Sequence, residues 1–333
     1  MASAEIRDHV IITIKRIDLD EKIAKAASRA GAKLVEGRTV TDARFFPIED
    51  MWTVETATED GIKKRDYRAR VLICADGAPS AMARKLRIVK TEPNGISSRA
   101  IIQAGTHNFN ADAVIFYPRQ LLPGYSALFK HSNDDLGFYT YILPGGPSKN
   151  EDAMDIHKFC IKDPYISKAL GPSAVMREVR CASLRLGGTP QSHSDNCLVV
   201  GDAAGQADPL TGEGIQFAME AAKIAAEVVV EGFDKGDLSE RFLKRYHDRW
   251  MKQFGAEFRW SFKFTSTISR WPIIIDAACL IIKERGYEYF LQWALVMTGT
   301  KSKVWFLRPD FVFLLLLKIL QLSVSRITIP FLK

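Results

Sequence analysis

The spacing of apolar and polar positions changes character several times along the chain, and each change predicts a different element. Residues 9–16, HVIITIKR, alternate weakly and are rich in β-branched side chains, which predicts a strand. In the following DLDEKIAKAASRAGAKL, Ile23, Ala26, Ala27 and Ala30 share a helical face, with Asp18 as N-cap and Gly31 as C-cap. Strands are expected at 33–35, 40–46, 52–56 and 67–74. Between 98 and 143 the runs RAIIQAG, AVIFYP, YSALFKH and GFYTYIL are parted by Asn, Asp, Pro and Gly turns. They predict an antiparallel sheet rich in aromatic residues. A helix over 150–161 and a strand over 179–186 lead to the short apolar run 197–200. Past Gly214 a helical period sets in and persists through most of the remaining chain.

This order predicts an α/β fold: a doubly wound domain interrupted by an antiparallel sheet domain, then a helical tail. The expected boundaries are 1–97 and 187–235 for the two parts of the α/β domain. The sheet domain takes 98–186 and the helical region 236–333.

Charge alters the picture at one end. The net charge of +7 over 333 residues decides nothing by itself. Between 289 and 333, however, six basic residues (Lys301, Lys303, Arg308, Lys318, Arg326, Lys333) face one acid, Asp310, in the most apolar part of the chain. Its longest apolar run, FVFLLLL at 311–317, falls short of the ~20 residues a membrane span needs. It predicts a buried helix, with an interfacial one as the alternative, and an anionic membrane surface is the partner such a tail would meet. No nucleic-acid motif accompanies the charge, so nucleic acid is not an expected partner. The five cysteines are scattered without a C-x-x-C pair, which supports no disulfide framework and no metal site and predicts a reducing, cytoplasmic location.

The candidate chemistry concentrates in GDAAGQADPLTGEGIQFAMEAAKIAAE, 201–227. A strand ends in Asp202, and a loop with four glycines and Pro209 enters a helix. Ile215, Ala218, Met219, Ala222, Ala226 and Val229 are expected to form its buried face, opposite Gln216, Glu220, Lys223 and Glu227. Small residues let a ligand approach the backbone, and the helix start offers free N–H groups to negative charge. A carboxylate at a strand's C-terminal end can accept hydrogen bonds from sugar-type hydroxyls. A ligand with hydroxyls, a flat face and distributed negative charge suits all three, as a flavin dinucleotide does. A second segment, VLICADGAPSAMARKL at 71–86, again ends a strand in Asp-Gly. Ser80 there is read either as a simple N-cap or as part of the same site.

On these motifs the chain resembles the FAD-dependent oxidoreductases of the para-hydroxybenzoate hydroxylase fold, and within them the geranylgeranyl reductase family. The resemblance covers most of 10–235. VVGDAAGQADPLTGEGI is similar to the family's GD motif, ADGAPSAMAR to its DG motif, and RIDLDEKIA to its Arg-x-x-Phe-Asp-x-x-Leu-Ala segment, with Leu19 and Ile23 as replacements. The resemblance implies that residues 1–97 and 187–235 bind FAD and that 98–186 bind substrate. Asp202 would meet the ribityl chain, flanked by Gly201 and Ala203. Pro209, Gly212, Glu213, Gly214 and Ile215 would run beside the flavin ring, where a helix start favours the reduced, negative flavin. Asp76 and Gly77 would lie near the FAD phosphates or the path of NAD(P)H or another electron donor, and Arg16 near the cofactor. LLPGYSALFKHS resembles the family's Pro-Gly-Tyr-x-Trp-x-Phe-Pro segment, with Ala127 and Lys130 at the Trp and final Pro positions. Tyr125, Phe129 and Tyr139 would then wall a pocket for an isoprenoid or other apolar lipid, or equally fill the sheet's core.

The implied reaction is reduction of a carbon–carbon double bond, with a monooxygenase of the same fold as the alternative. No catalytic residue can be named; Tyr125 and Tyr139 are candidate proton donors, each more readily read as structural. No G-x-G-x-x-G turn occurs in the sequence, although the family opens with one. The expectation is therefore a fragment whose sheet lacks its N-terminal βαβ unit and holds FAD poorly. A degenerate flavoprotein acting without catalysis at a membrane surface is the alternative from another class.

Overall fold

The computed structural model describes residues 14–146, 153–177 and 179–328. The chain enters through α1 (Arg16–Arg29) and a hairpin-linked sheet of β1 (Thr39–Phe46), β2 (Met51–Ala57) and β3 (Lys64–Ala69), then β4 (Leu72–Cys74) and α2 (Ala81–Lys85). Next come β5 (Gly95–Ile102), β6 (Ala113–Phe116), β7 (Tyr125–Lys130) and β8 (Leu136–Ile142), then α3 (Ala153–Ile161), α4 (Pro164–Leu170) and β9 (Arg180–Leu184). The short strands β10 (His193–Ser194) and β11 (Cys197–Val199) precede a 3-10 turn, Gly201–Ala204. Four long helices follow: α5 (Ile215–Lys235), α6 (Glu240–Arg270), α7 (Ile273–Arg285) and α8 (Tyr287–Met297). A second 3-10 turn, Lys303–Leu307, leads into α9 (Pro309–Thr328).

The middle sheet is antiparallel in the order β6-β7-β8-β5-β9, as the alternating aromatic runs predict. Its pleat sends Leu128, Phe138 and Ile142 to one face, where α3 and α4 cover them with Ile156, Ile166 and Leu170. The opposite face carries Tyr125, Ala127, Phe129, Tyr139 and Tyr141. That face turns toward Ala207 and the loop after β11. The parallel character of the α/β part rests, among the described residues, on one pair: β4 beside β11, with β10 antiparallel on the other side.

Several expectations need correction. The strand read over 67–74 is two strands in two sheets: β3 pairs antiparallel with β2, while β4 turns away to pair with β11. Both halves have strand character, and only tertiary pairing separates them. Residues 33–35 form no strand. Most of the 9–16 strand lies outside the described residues, and Arg16 already opens α1, with Lys15 rather than Asp18 at its N-cap. Asp18 sits in the first turn, where its charge suits the helix dipole. The helix read from 150 is described from Ala153, residues 150–152 lying outside the described set.

The buried face of α5 is also not the predicted one. Ala221, Ile224, Ala225 and Val228 pack on α6 around Tyr246, Trp250 and Phe254, while Ile215, Met219, Ala222 and Ala226 are exposed. A helix apolar on most sides does not announce which side its neighbour takes. The 311–317 run is a further case. It lies in α9, where Phe311 is buried, but Phe313, Leu316, Leu317, Leu320 and Val324 form an exposed stripe, Phe313 being 63% exposed. Among the described residues no single helix is long and apolar enough to cross a membrane; α6 and α7 meet in a bend of 103°.

Candidate functional site

The loops after β4 and β11 emerge side by side because their strands are parallel neighbours. After β11, Gly201 turns with φ +65° and donates its N–H to Gln206 Oε1 at 2.7 Å. The Gln206 amide donates in turn to the Tyr246 hydroxyl (2.7 Å), which donates to the Val199 carbonyl (2.9 Å). A fully buried side chain on α6 thus props the start of the loop. Gly212, with φ +71°, lies so near the Tyr141 ring that a Cβ there would come within 3.0 Å of it. Gly214 then forms the N-cap of α5 without any side-chain cap, which leaves the first N–H groups of the helix facing outward from the loop.

Asp202 stands opposite that helix start. A Cβ on Gly214 would fall 3.1 Å from Asp202 Oδ1 and 3.1 Å from Ala207 Cβ, so only glycine leaves the carboxylate uncovered. Asp202 is half-buried, and no described residue donates a hydrogen bond to its carboxylate. Burial raises its pKa, an effect the guanidiniums of Arg16 and Arg185 partly offset. Arg16 itself forms an exposed pair with Asp20 at 3.1 Å. Its charge also reaches Tyr139 and Tyr141, so it belongs to the same neighbourhood.

The loop after β4 is arranged differently. Asp76 Oδ1 accepts from Ser80 Oγ (2.7 Å), and Oδ2 accepts from the Met82 N–H (2.9 Å). Ser80 Oγ accepts from the Ala83 N–H at 3.2 Å, so Ser80 is the N-cap of α2. Gly77, at φ +72°, has open space where a Cβ would project.

Pro209 lies against Gly187 beside the Phe262 ring. Phe262 also lines a cavity of about 390 Å³ with Pro144, Thr265 and Ser269, between the end of β8 and α6. A larger cavity, about 430 Å³, lies at the far ends of the same strands, among Asp50, Arg70, Asn196 and Asp237, away from both loops. Tyr125 is buried, stacks on Tyr141 (centroids 4.8 Å apart) and donates its hydroxyl to the Thr211 carbonyl. Phe129 and Tyr139 are half-buried and meet edge to face at 5.8 Å. Ala127, at the position of the family's Trp, is wholly buried.

Sequence reasoning missed two groups here. Arg185, 1% exposed, donates to the Ala203 (2.8 Å), Pro79 (2.9 Å) and Thr91 (3.1 Å) carbonyls and so fastens both loops together. A lone arginine inside a strand run carried no signal beyond its improbability in a core. Glu213 was placed beside the cofactor, but its titration was not foreseen. Burial, with a smaller contribution from Asp208, pushes its carboxyl up to about 7 against the amide of Gln216 (3.1 Å) and the charge of Lys303.

No family model matches the chain. Conditioned medium factor receptor 1 of Dictyostelium discoideum is 49% identical over 311 residues, covering 93% of this chain and 61% of that protein. Digeranylgeranylglycerophospholipid reductase 2 of Methanopyrus kandleri is 29% identical over 266 residues, covering 78% of this chain and 62% of the reductase. The chain thus spans about three fifths of the length of these relatives. Among solved structures, a geranylgeranyl bacteriochlorophyll reductase-like protein from Thermoplasma acidophilum matches with TM-score 0.68 and 18% identity, over 84% of this chain and 71% of that one. That similarity shows the fold.

Proposed function

We propose, for a chain that belongs to the geranylgeranyl reductase-like family of FAD-dependent oxidoreductases, that it reduces carbon–carbon double bonds of an isoprenoid or similar apolar lipid. The observation that carries this reading is Asp202: a half-buried carboxylate to which no described residue donates, bared by Gly214 and facing the uncapped start of α5. A partly exposed carboxylate next to free helix N–H groups suits a ligand that carries hydroxyls beside a negative group. The residues therefore fit FAD. Asp202 would take the ribityl hydroxyls. The N–H groups at Ile215 and beyond would face the flavin's electron-rich edge, with Gly201, Ala203, Pro209, Gly212 and Glu213 shaping the cradle. Arg16 adds positive potential, and Gly77 leaves the second loop bare, its shape held by Asp76.

Bound FAD supplies a hydride, drawn from NAD(P)H or another donor. The protein's part is to exclude water and hold a proton. The aromatic face with Phe129, Tyr139 and Tyr141 offers an apolar wall above the loop, and the cavity beside Phe262 is of mixed character, with Pro144 alongside Thr265, Ser266 and Arg270. We place the protein in the cytoplasm at a membrane surface, with the exposed stripe of α9 and the basic excess of 289–333 meeting anionic lipid.

The test is an FAD titration of the full-length protein, followed by anaerobic incubation of the reduced holoprotein with prenyl lipids. Gain of two hydrogens per double bond supports the reading. Gain of oxygen under air would instead identify a monooxygenase, and absence of FAD binding would overturn both. A second reading rests on the relative named as a receptor. In it the scaffold binds a ligand without turnover, and FAD bound by a protein inert toward every prenyl lipid would favour it.

A further inference from the structure

The most deeply buried ion pair among the described residues lies at the base of the loop, and nothing in the proposed chemistry uses it. Lys303 opens the 3-10 turn before α9, and its Nζ lies 2.7 Å from Asp208 Oδ2. Each residue is 1% exposed. The rest of Asp208 is fully engaged in shaping the loop. Oδ2 also accepts from Ser261 Oγ on α6 (2.9 Å), and Oδ1 accepts from the N–H groups of Leu210 (2.8 Å) and Thr211 (3.2 Å). The Asp208 N–H donates to the Glu213 carbonyl (2.8 Å) and its carbonyl accepts from Gly212 (2.9 Å). Asp208 therefore folds 208–213 on itself, through its carboxylate and its backbone together. Lys303 is held from behind by Glu257, which accepts from the Lys303 N–H (3.0 Å) and from Ser302 Oγ (2.6 Å).

Removing two charges from water is costly, and such a pair is best explained where it fixes one arrangement over others. Two elements almost a hundred residues apart in sequence are joined here at a single point, and the element it fixes is the loop ending in Gly214. We infer that Lys303 is a positioning residue for the cofactor loop, reaching from the C-terminal helices to hold 208–213 in the form that sets Glu213 and Gly214 at the head of α5. This rests on the reading of that loop as the flavin's cradle. The C-terminal helical region is then part of the cofactor site, through this salt bridge as well as through Tyr246 and Ser261 of α6.

The Glu213 carboxyl provides a readout that mere stability would not move. The charged and titratable groups around it are Tyr125 on β7, Tyr141 on β8, Asp208 in its own loop and Lys303, with the uncharged Gln216 amide on α5. Lys303 favours its ionised form and Asp208 opposes it. Losing Lys303 should thus raise the Glu213 pKa above about 7, and neutralising Asp208 as well should bring it back down.

The experiment compares full-length wild type, K303M, D208N/K303M and K303Q by three measurements. These are amide hydrogen exchange at Leu210, Thr211 and Gly212, FAD affinity, and infrared titration of the Glu213 carboxyl, identified by its loss in E213Q. In K303M, loop exchange should rise about tenfold or more while the α5–α6 core stays protected, and FAD should bind about tenfold more weakly. The double variant, with no unpaired buried charge, should regain most of the protection. K303Q keeps a donor to Asp208 and should show the same changes to a smaller degree; it carries the comparison if K303M does not fold. Unchanged loop exchange, or equal FAD affinity in wild type and K303M, would overturn the inference. So would exchange raised evenly throughout the molecule. Loosened loop amides in K303M, with no FAD bound by wild type, would keep the latch and sink the flavin reading instead.

Discussion

Two loops leave the same parallel strand pair, read almost alike in sequence, and behave as opposites. After β4 the chain runs Ala-Asp-Gly-Ala, and after β11 Gly-Asp-Ala-Ala. Asp76 turns both carboxylate oxygens inward, to Ser80 Oγ and the Met82 N–H, and completes its own helix start. Asp202 faces a longer helix start and receives no donor among the described residues. The contrast teaches that an acidic residue at a strand's end is not in itself a ligand group. The deciding feature is whether the following residues offer it a local donor. Ser80 does so four residues on, whereas Gln206, four residues past Asp202, gives its amide to the Tyr246 hydroxyl instead.

The sharpest way to break the comparison is to remove what holds the loops together. Arg185→Met would leave the Ala203, Pro79 and Thr91 carbonyls without their buried donor. The expected loss is about 3–5 kcal/mol in urea-induced unfolding. Arg185→Lys should recover little of it, since one ammonium cannot serve carbonyls on separate segments as the guanidinium fork does. A loss below ~1 kcal/mol would show that the loops are held independently.

Next in size is the pH dependence carried by Glu213. Burial lifts its carboxyl from 4.5 to about 7, so the folded state binds this proton more tightly than the unfolded chain does. Its stabilising contribution is present below about pH 4.5 and is lost as pH rises through 7, by an amount on the order of 2–3 kcal/mol. Unfolding midpoints of wild type and E213Q, followed from pH 5 to 8, should therefore diverge, with the wild type falling more steeply. Parallel profiles would place the Glu213 carboxyl in water rather than under the aromatic sheet.

A smaller effect on stability, but a large one on ligand binding, is expected at Gly214. Its φ of −140° is open to any residue, so Gly214→Ala should cost no more than ~1 kcal/mol. The added methyl would nonetheless crowd Asp202 Oδ1, and FAD affinity should fall about tenfold. Unaltered affinity would remove Gly214 from the cradle.

How much of this was legible before the structure follows from the range of each interaction. The 201–215 loop was readable because its requirements are local: positive φ at Gly201 and Gly212, bare backbone at Gly214, and a helix beginning at Ile215. The aromatic sheet was readable because a pleat shows its period in sequence. By contrast, Arg185 meets Pro79 across 106 positions and Gln206 meets Tyr246 across 40, and no spacing rule encodes such pairs. The 67–74 run was misread for a related reason. Nothing between Ala69 and Leu72 breaks strand character, and the division appears only once β2 and β11 compete for its two halves. The face of α5 was misread because alanines occupy most of its sides, and α6 decided which of them is covered.

The finest test exchanges the roles of the two aspartates. Asp76→Ala removes acceptors for Ser80 and Met82 and should destabilise by ~1 kcal/mol, as loss of a helix cap does. FAD affinity should then change by less than about threefold, because that carboxylate is already engaged by the protein. Asp202→Ala removes a half-buried carboxylate whose ionisation the fold resists. Stability at neutral pH should hold or rise by a few tenths of a kcal/mol, while FAD affinity should drop about 10- to 100-fold, the scale of hydrogen bonds to a charged group. The two variants should thus cross, one losing stability and keeping the ligand, the other the reverse. If Asp76→Ala instead loses FAD while Asp202→Ala keeps it, the ligand sits on the β4 loop, and the missing donor at Asp202 needs another explanation.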